Sequence, residues 1–271
     1  MNFEADDFKD LERAKWLLEN PGLAAKFTDF LGTPIEKGFE MLPQNWKHKV
    51  GQITHSALSK AVTTAVFTLN EDPYRQSSNL WHKLAVGTAG GISGFFGLAA
   101  LALELPVSTT IMLRSIADIA RSEGELISSI ETRLACMEVF AFGGGVRNSV
   151  DDVYESAYFV ARAALASSLA NAAEYIAERG MIEGSPALLR FVIQISERFS
   201  VQVSEKAVSQ ALPIIGAAGG ALINTLFIDH FQDMARGHFI IRRLERRYGA
   251  DMVQSAYEIL DPSIDALKNN L

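Results

Sequence analysis

The chain of 271 residues has a single cysteine, Cys136, so it can form no internal disulfide, and a reducing compartment suits it. It also lacks a basic excess: 25 lysines and arginines stand against 32 acids, a formal net charge of −7. That balance argues against a general nucleic-acid binder, although an acidic total can hide a local basic face. The opening MNFEADDFKDLERAK has neither the basic start nor the apolar run of a secretory signal, so cytoplasmic residence is expected. Alternating strand patterns and low-complexity linkers are missing. So are a Gly-x-Ser-x-Gly elbow, a phosphate loop ending in Gly-Lys-Ser/Thr and a His-Glu-x-x-His zinc motif. No metal and no cofactor is expected.

Helical signals fill the chain instead. Thr33-Pro34-Ile35-Glu36 reads as an N-cap, a first-turn proline and a carboxylate reaching back. Asp72-Pro73, Ser185-Pro186 and Asp261-Pro262 repeat the cap-then-proline signal, and Ser149 precedes Asp151 and Asp152. After Ser185, the residues Leu188, Val192, Ile195, Phe199 and Val203 recur at steps of four and three, one face of a helix. The alanine-rich run between residues 150 and 180 has high helix propensity. The expectation is an all-α protein, a single helical bundle. An N-terminal helical layer covers residues 1–45 and the main helical domain covers 46–271.

Two stretches carry no charge, Leu84–Leu103 and Ala207–Ile228. Each has roughly the 20 residues that span a bilayer's hydrocarbon layer. Gly87, Gly90, Gly91, Gly94 and Gly97 in the first, and Gly216 and Gly220 in the second, lie three or four apart, so helix backbones can approach closely there. The two are expected to be the central glycine-rich apolar helices of the bundle and to pack on each other. Five glycines weaken the first as a helix, and Gln210, Pro213 and Asn224 interrupt the second. Burial within the bundle, reversible membrane insertion and a permanent span all remain open readings.

The block GGISGFFGLAALALELPVSTTIMLRSIADIARSEGE (90–125), then VFAFGGG (139–145), PIIGAAGGALINTLFIDHF (213–231) and RRLERRYG (242–249), resembles the bacterial EcsC protein family over residues 40–260. The family takes its name from an operon that also encodes an ABC transporter. The resemblance implies a bacterial helical protein linked to the envelope, with no established catalytic chemistry and no catalytic residues to carry over.

Several polar constellations stand out. Arg114, Asp118, Arg121 and Glu125 fall along one line of the helix expected to begin at Pro106, as a salt-bridge ladder or a charged seam. Glu104 ends the first apolar stretch and is expected to cap that helix. Asp229, His230, Asp233 and His238 gather within ten residues without a zinc spacing. Cys136 sits among Leu134, Met137 and Val139, as a buried, inert thiol. Between 230 and 248, Met234, Gly237, Ile241, Leu244 and Tyr248 form an apolar stripe. Arg236, Arg242, Arg243, Arg246 and Arg247 lie largely opposite. That basic face suits an anionic lipid surface, or else pairs with the acidic surplus elsewhere in the chain.

Together these features suggest a non-enzymatic, membrane-associated accessory or lipid-handling protein, peripheral at the cytoplasmic face of the inner membrane of a bacterium. Its expected partners are an anionic membrane surface or an apolar ligand, with an envelope protein also possible, and no nucleic acid. Two other classes stay open: a hydrolase of unrecognised type using Glu104, Asp118, Asp229 or His230, and a soluble carrier holding an apolar ligand between the glycine-rich helices.

Overall fold

A computed structural model describes residues 3–19, 22–32, 34–40, 44–68, 97–143, 156–180, 185–211 and 217–260. Every regular element among them is helical: α1 (Ala5–Glu19), α2 (Leu23–Leu31), α3 (Glu36–Phe39), α4 (Trp46–Thr68), α5 (Gly97–Ser122), α6 (Ile130–Glu138), a 3₁₀ turn (Val139–Ala141), α7 (Ala157–Arg179), α8 (Pro186–Ala211), α9 (Ala217–Tyr248) and α10 (Ala250–Ile259). This is the expected all-α bundle. Helix α4 packs on α5, α5 on α9, α9 on α8 and α8 back on α4, which closes a four-helix ring. Helix α7 lies against α8, α6 bridges α5 and α7, and α1 lies along α9.

The helix faces follow the apolar period. Leu188, Val192, Ile195, Phe199 and Val203 of α8 are all buried, as their spacing requires. The ring closes over a cluster of phenylalanines from three elements. Phe140 stands 5.0 Å from Phe199 and 5.3 Å from Phe231, and Phe231 stands 5.2 Å from Phe227, centroid to centroid. Tilted and edge contacts at these separations add to the area each ring buries.

The helix ends are partly as expected. Ser185 Oγ accepts from the Leu188 amide at 3.4 Å and starts α8 at Pro186. The alanine-rich helix begins later than its composition suggests, at Ala157, where Ser156 Oγ accepts from the Tyr158 amide. It ends at Gly180, with φ at +75°. The caps expected at Thr33, Asp72-Pro73, Ser149 and Asp261-Pro262 involve positions outside the described residues.

One expectation changes. No helix starts at Pro106, because α5 runs straight through it to Ser122. Proline removes the N–H that the Ala102 carbonyl would use, and Ala102 lies on the exposed side, where water can take its place. The described parts of the two apolar stretches belong to longer helices. Residues 97–103 are the first turns of α5, 207–211 the end of α8, and 217–228 the start of α9; the rest of both stretches lies outside the described residues. Among the described residues, no helix is long and apolar enough to cross a membrane.

Gly87, Gly90, Gly91, Gly94 and Gly216 lie outside the described residues, and Gly97 is the first residue of α5. At Gly220 an added Cβ would meet no described atom within 4 Å, and the stretch expected to face it lies outside the described residues. The tight glycine of α9 is Gly237. A Cβ there would stand 2.6 Å from Leu18 Cγ and 3.1 Å from the Ala14 carbonyl oxygen of α1. The Gly237→Ala change should therefore destabilise by about 1–2 kcal/mol through overpacking, despite alanine's better helix propensity. Gly220→Ala should stabilise by about 0.5–1 kcal/mol. Urea unfolding of both variants checks the pair, and equal midpoints would remove the close contact between α1 and α9.

Candidate functional site

The five arginines of α9 face carboxylates. Arg242 Nε donates to Glu125 Oε1 at 2.8 Å, Arg246 donates to the same oxygen, and Thr132 Oγ1 donates to the other at 3.0 Å. Glu125 is buried; its desolvation works against the charge, but the two arginines and Thr132 hold its carboxyl below the usual range. Arg243 Nη2 donates to Asp10 at 2.6 Å, and its Nε lies 2.9 Å from Glu123. Arg247 donates to Asp7 at 2.6 Å and to Glu4 at 2.5 Å, and the Tyr248 hydroxyl also donates to Asp7. Arg236 pairs with Asp233 one turn earlier, and Lys26 of α2 reaches the other Asp233 oxygen at 3.1 Å. Each arginine of the face expected to meet anionic lipid thus pairs with an acid of the chain. Removing Glu125 as Glu125→Ala should cost about 3–5 kcal/mol, since it strands two cations and Thr132. Chemical denaturation measures this.

The expected ladder on α5 is shorter than its spacing suggests. Arg121 donates to Asp118 at 2.9 Å, an exposed i,i+3 pair, and half-buried Arg114 makes no ion pair with a described residue. Glu125 does not continue the line. The helix ends at Ser122, and Gly124 with φ at +80° turns the chain so that Glu125 points at α9. Glu104 caps no helix. It accepts from Lys206 Nζ of α8 at 2.6 Å, and the ammonium also lies 4.6 Å above the Phe227 ring. Burial lowers the Lys206 pKa, and Glu104 opposes that shift.

His230 is fully buried beside Phe231, and neither ring nitrogen has a hydrogen-bond partner among the described residues. Gly143, at φ +77°, lies against it so closely that a Cβ would strike the ring. Burial pulls the His230 pKa down to about 3, which keeps the ring neutral. Asp229 is exposed, and its pKa is raised by partial burial and by Asp233. Among the described residues no three His, Cys, Asp or Glu side chains gather as a metal site. Glu104, Asp118, Asp229 and His230 each go to different surroundings, and none hydrogen-bonds another. Cys136 is fully buried, and burial pushes its thiol up, as an inert cysteine requires.

Two arrangements were not read from sequence. The first is a sealed polar cluster between α6, α7 and α9. The Tyr158 hydroxyl and His238 Nδ1 are 2.8 Å apart, and His238 Nε2 lies 4.0 Å from Glu138 Oε2. Phe142 packs on both Tyr158 and His238, and beside them Arg162 makes a two-point bond to Glu245 at 2.7 and 3.0 Å. All three cluster members are buried. Their partners lie 80 and 100 positions away in sequence, and no local spacing signals them.

The second is the outer face of α4, which had a readable signal. From residue 41 to residue 70 the chain contains no Asp or Glu, yet it holds Lys47, Lys49 and Lys60 with His48 and His55. Lys47, His48, Lys49 and Gln52 are exposed. An open depression of about 520 Å³ lies on this face, lined by Lys47, His48, Gly51, Gln52 and His55.

A closed ring of four helices with added helical layers and an arginine-bearing α9 defines an all-helical bundle of one architecture. The chain belongs to the EcsC protein family, whose pattern it matches over residues 7–244. The match begins inside α1. No curated protein and no solved structure matches the chain.

Burial raises the Glu138 carboxyl from its ordinary 4.5 to about 7, while Arg162 and Arg242 pull it partway back. A folded-state pKa above the unfolded one gives stability that is full below about 4.5 and lost as pH rises through 7. The two buried histidines, lowered by burial, act the opposite way, so the carboxyl is isolated by comparison with Glu138→Gln. The stability of the parent relative to that variant should fall between pH 5 and 8, by about 1.4 kcal/mol per pH unit at the steepest. Urea titrations at both pH values measure it. A difference independent of pH would refute the protonated state of Glu138.

Proposed function

We propose that this chain is a non-enzymatic accessory protein that rests on the cytoplasmic face of a bacterial membrane, with α4 as the surface that meets anionic lipid. The acid-free cationic face of α4 carries this reading. In a chain of net charge −7, thirty consecutive residues hold three lysines, two histidines and no acid. Lys47 and Lys49 lie in the first turn of α4, where the helix dipole is itself positive and cations are disfavoured by about 0.3–1 kcal/mol each. Among the described residues no carboxylate pairs with Lys47 or Lys49, and an external anion would relieve that placement. Each lysine held near an anionic surface contributes about 1 kcal/mol, and added salt weakens the attraction. Family membership fits an envelope setting and leaves the ligand open.

The arginines of α9 have a different part in this reading. They bind the N-terminal helix and the 123–125 turn to the bundle. Lys47→Gln with Lys49→Gln should cut flotation with anionic vesicles by about tenfold or more, at unchanged stability. The same change at Arg243 and Arg247 should lower the unfolding midpoint, because Asp7 and Asp10 lose their partners. If the lysine variant floats like its parent, the α4 surface is refuted.

A further inference from the structure

The depression on α4 has a more specific chemistry than its charge. We infer that it is a subsite for a terminal phosphate, so that the lipid α4 selects is one whose headgroup is a phosphate monoester; this rests on the membrane reading above for the source of the phosphate.

Three observations lead there. The lining is made of donors: the Lys47 ammonium, the His48 and His55 rings and the Gln52 amide, with no carboxylate among them. A phosphate monoester offers three strong acceptor oxygens and close to two negative charges, whereas a diester headgroup offers two free oxygens and one. A compact ammonium and two imidazoles match the first better than the second.

The side chains are also arranged for it. Positions 47, 48, 51, 52 and 55 recur at three, four and seven, so they share one face of α4. His48 and Gln52 are already joined, ring Nε2 to amide nitrogen at 3.0 Å, which fixes the ring beside the depression. With the Gln52 amide donating to Nε2, the ring carries its proton on Nδ1, which is left to donate to an anion.

The floor is Gly51. Glycine within a helix is a propensity loss, normally explained by a close neighbour. Here a Cβ would meet no described atom within 4 Å. Among the described residues the missing side chain serves no packing contact, and it leaves the depression, about 520 Å³, unobstructed at this position.

The test uses the full chain and phosphatidylcholine vesicles doped with phosphatidate or with phosphatidylglycerol, matched for surface charge. Phosphatidate vesicles should carry roughly tenfold more protein, the worth of one charge-assisted hydrogen bond. Millimolar inorganic phosphate should compete and should shift the His48 and His55 ring signals in NMR spectra. His48→Gln with His55→Gln, and separately Gly51→Leu, which fills the depression, should bring the ratio close to one. Circular dichroism checks that both variants fold. Equal, charge-dependent flotation with both lipids would overturn the subsite and leave the membrane surface standing. Phosphate-induced ring shifts without flotation on any vesicle would uphold the phosphate site and overturn its lipid source. Neither shifts nor flotation would overturn both.

Discussion

The rest of the molecule depends on how a helix with five arginines comes to lie inside a folded protein. Helix α9 reaches from the phenylalanine cluster to the N-terminal layer, and its arginines cannot be set against other elements without carboxylates. Asp7 and Asp10 of α1 and Glu123 and Glu125 of the turn after α5 supply them. Glu125 is the deepest of these, with two guanidinium groups and a hydroxyl on its two oxygens. Those bonds fix where α5 must end and where α1 must lie. Gly237 then lets α1 come close enough for Leu11, Ala14 and Leu18 to be buried. The apolar packing of the N-terminal layer thus follows from the charges.

Much of the fold was legible because helices write their burial into a short period. The α8 stripe, the apolar stripe of α9 from Met234 to Leu244 and the buried Cys136 could each be read within a window of about twenty residues. Two things could not be settled by period alone. Pro106 was taken as a helix start, because the propensity rule cannot know that the freed carbonyl is at the surface. The arginines of α9 were legible as a basic face, yet the partners of Arg242, Arg243 and Arg247 are more than a hundred positions away, and period alone cannot choose between a membrane and an acidic helix of the same chain. The α4 signal differs from both. It lay in plain view as a missing charge, which residue-by-residue motif searching does not register.

The interior and the surface handle ionisable groups in opposite ways. Inside, burial pushes Glu138, Tyr158 and Cys136 up and His230 and Lys206 down, so each is moved toward its neutral form. Where a charge is kept, as at Arg162 and Glu245, a two-point bond accompanies it. On α4, Lys47 and Lys49 instead stay exposed, and no carboxylate lies on their own helix.

Lys15 sits on α1, yet its ammonium donates to the carbonyls of Tyr257, at 2.8 Å, and Leu260, at 2.7 Å, at the far end of α10. Those are among the last carbonyls of a helix, which have no amide of their own to accept from. The first and last helices described are therefore buckled to each other, and the bundle is strapped like a parcel. A force that lifts one end must undo the other before it can peel either from α9, so neither terminal helix frays alone.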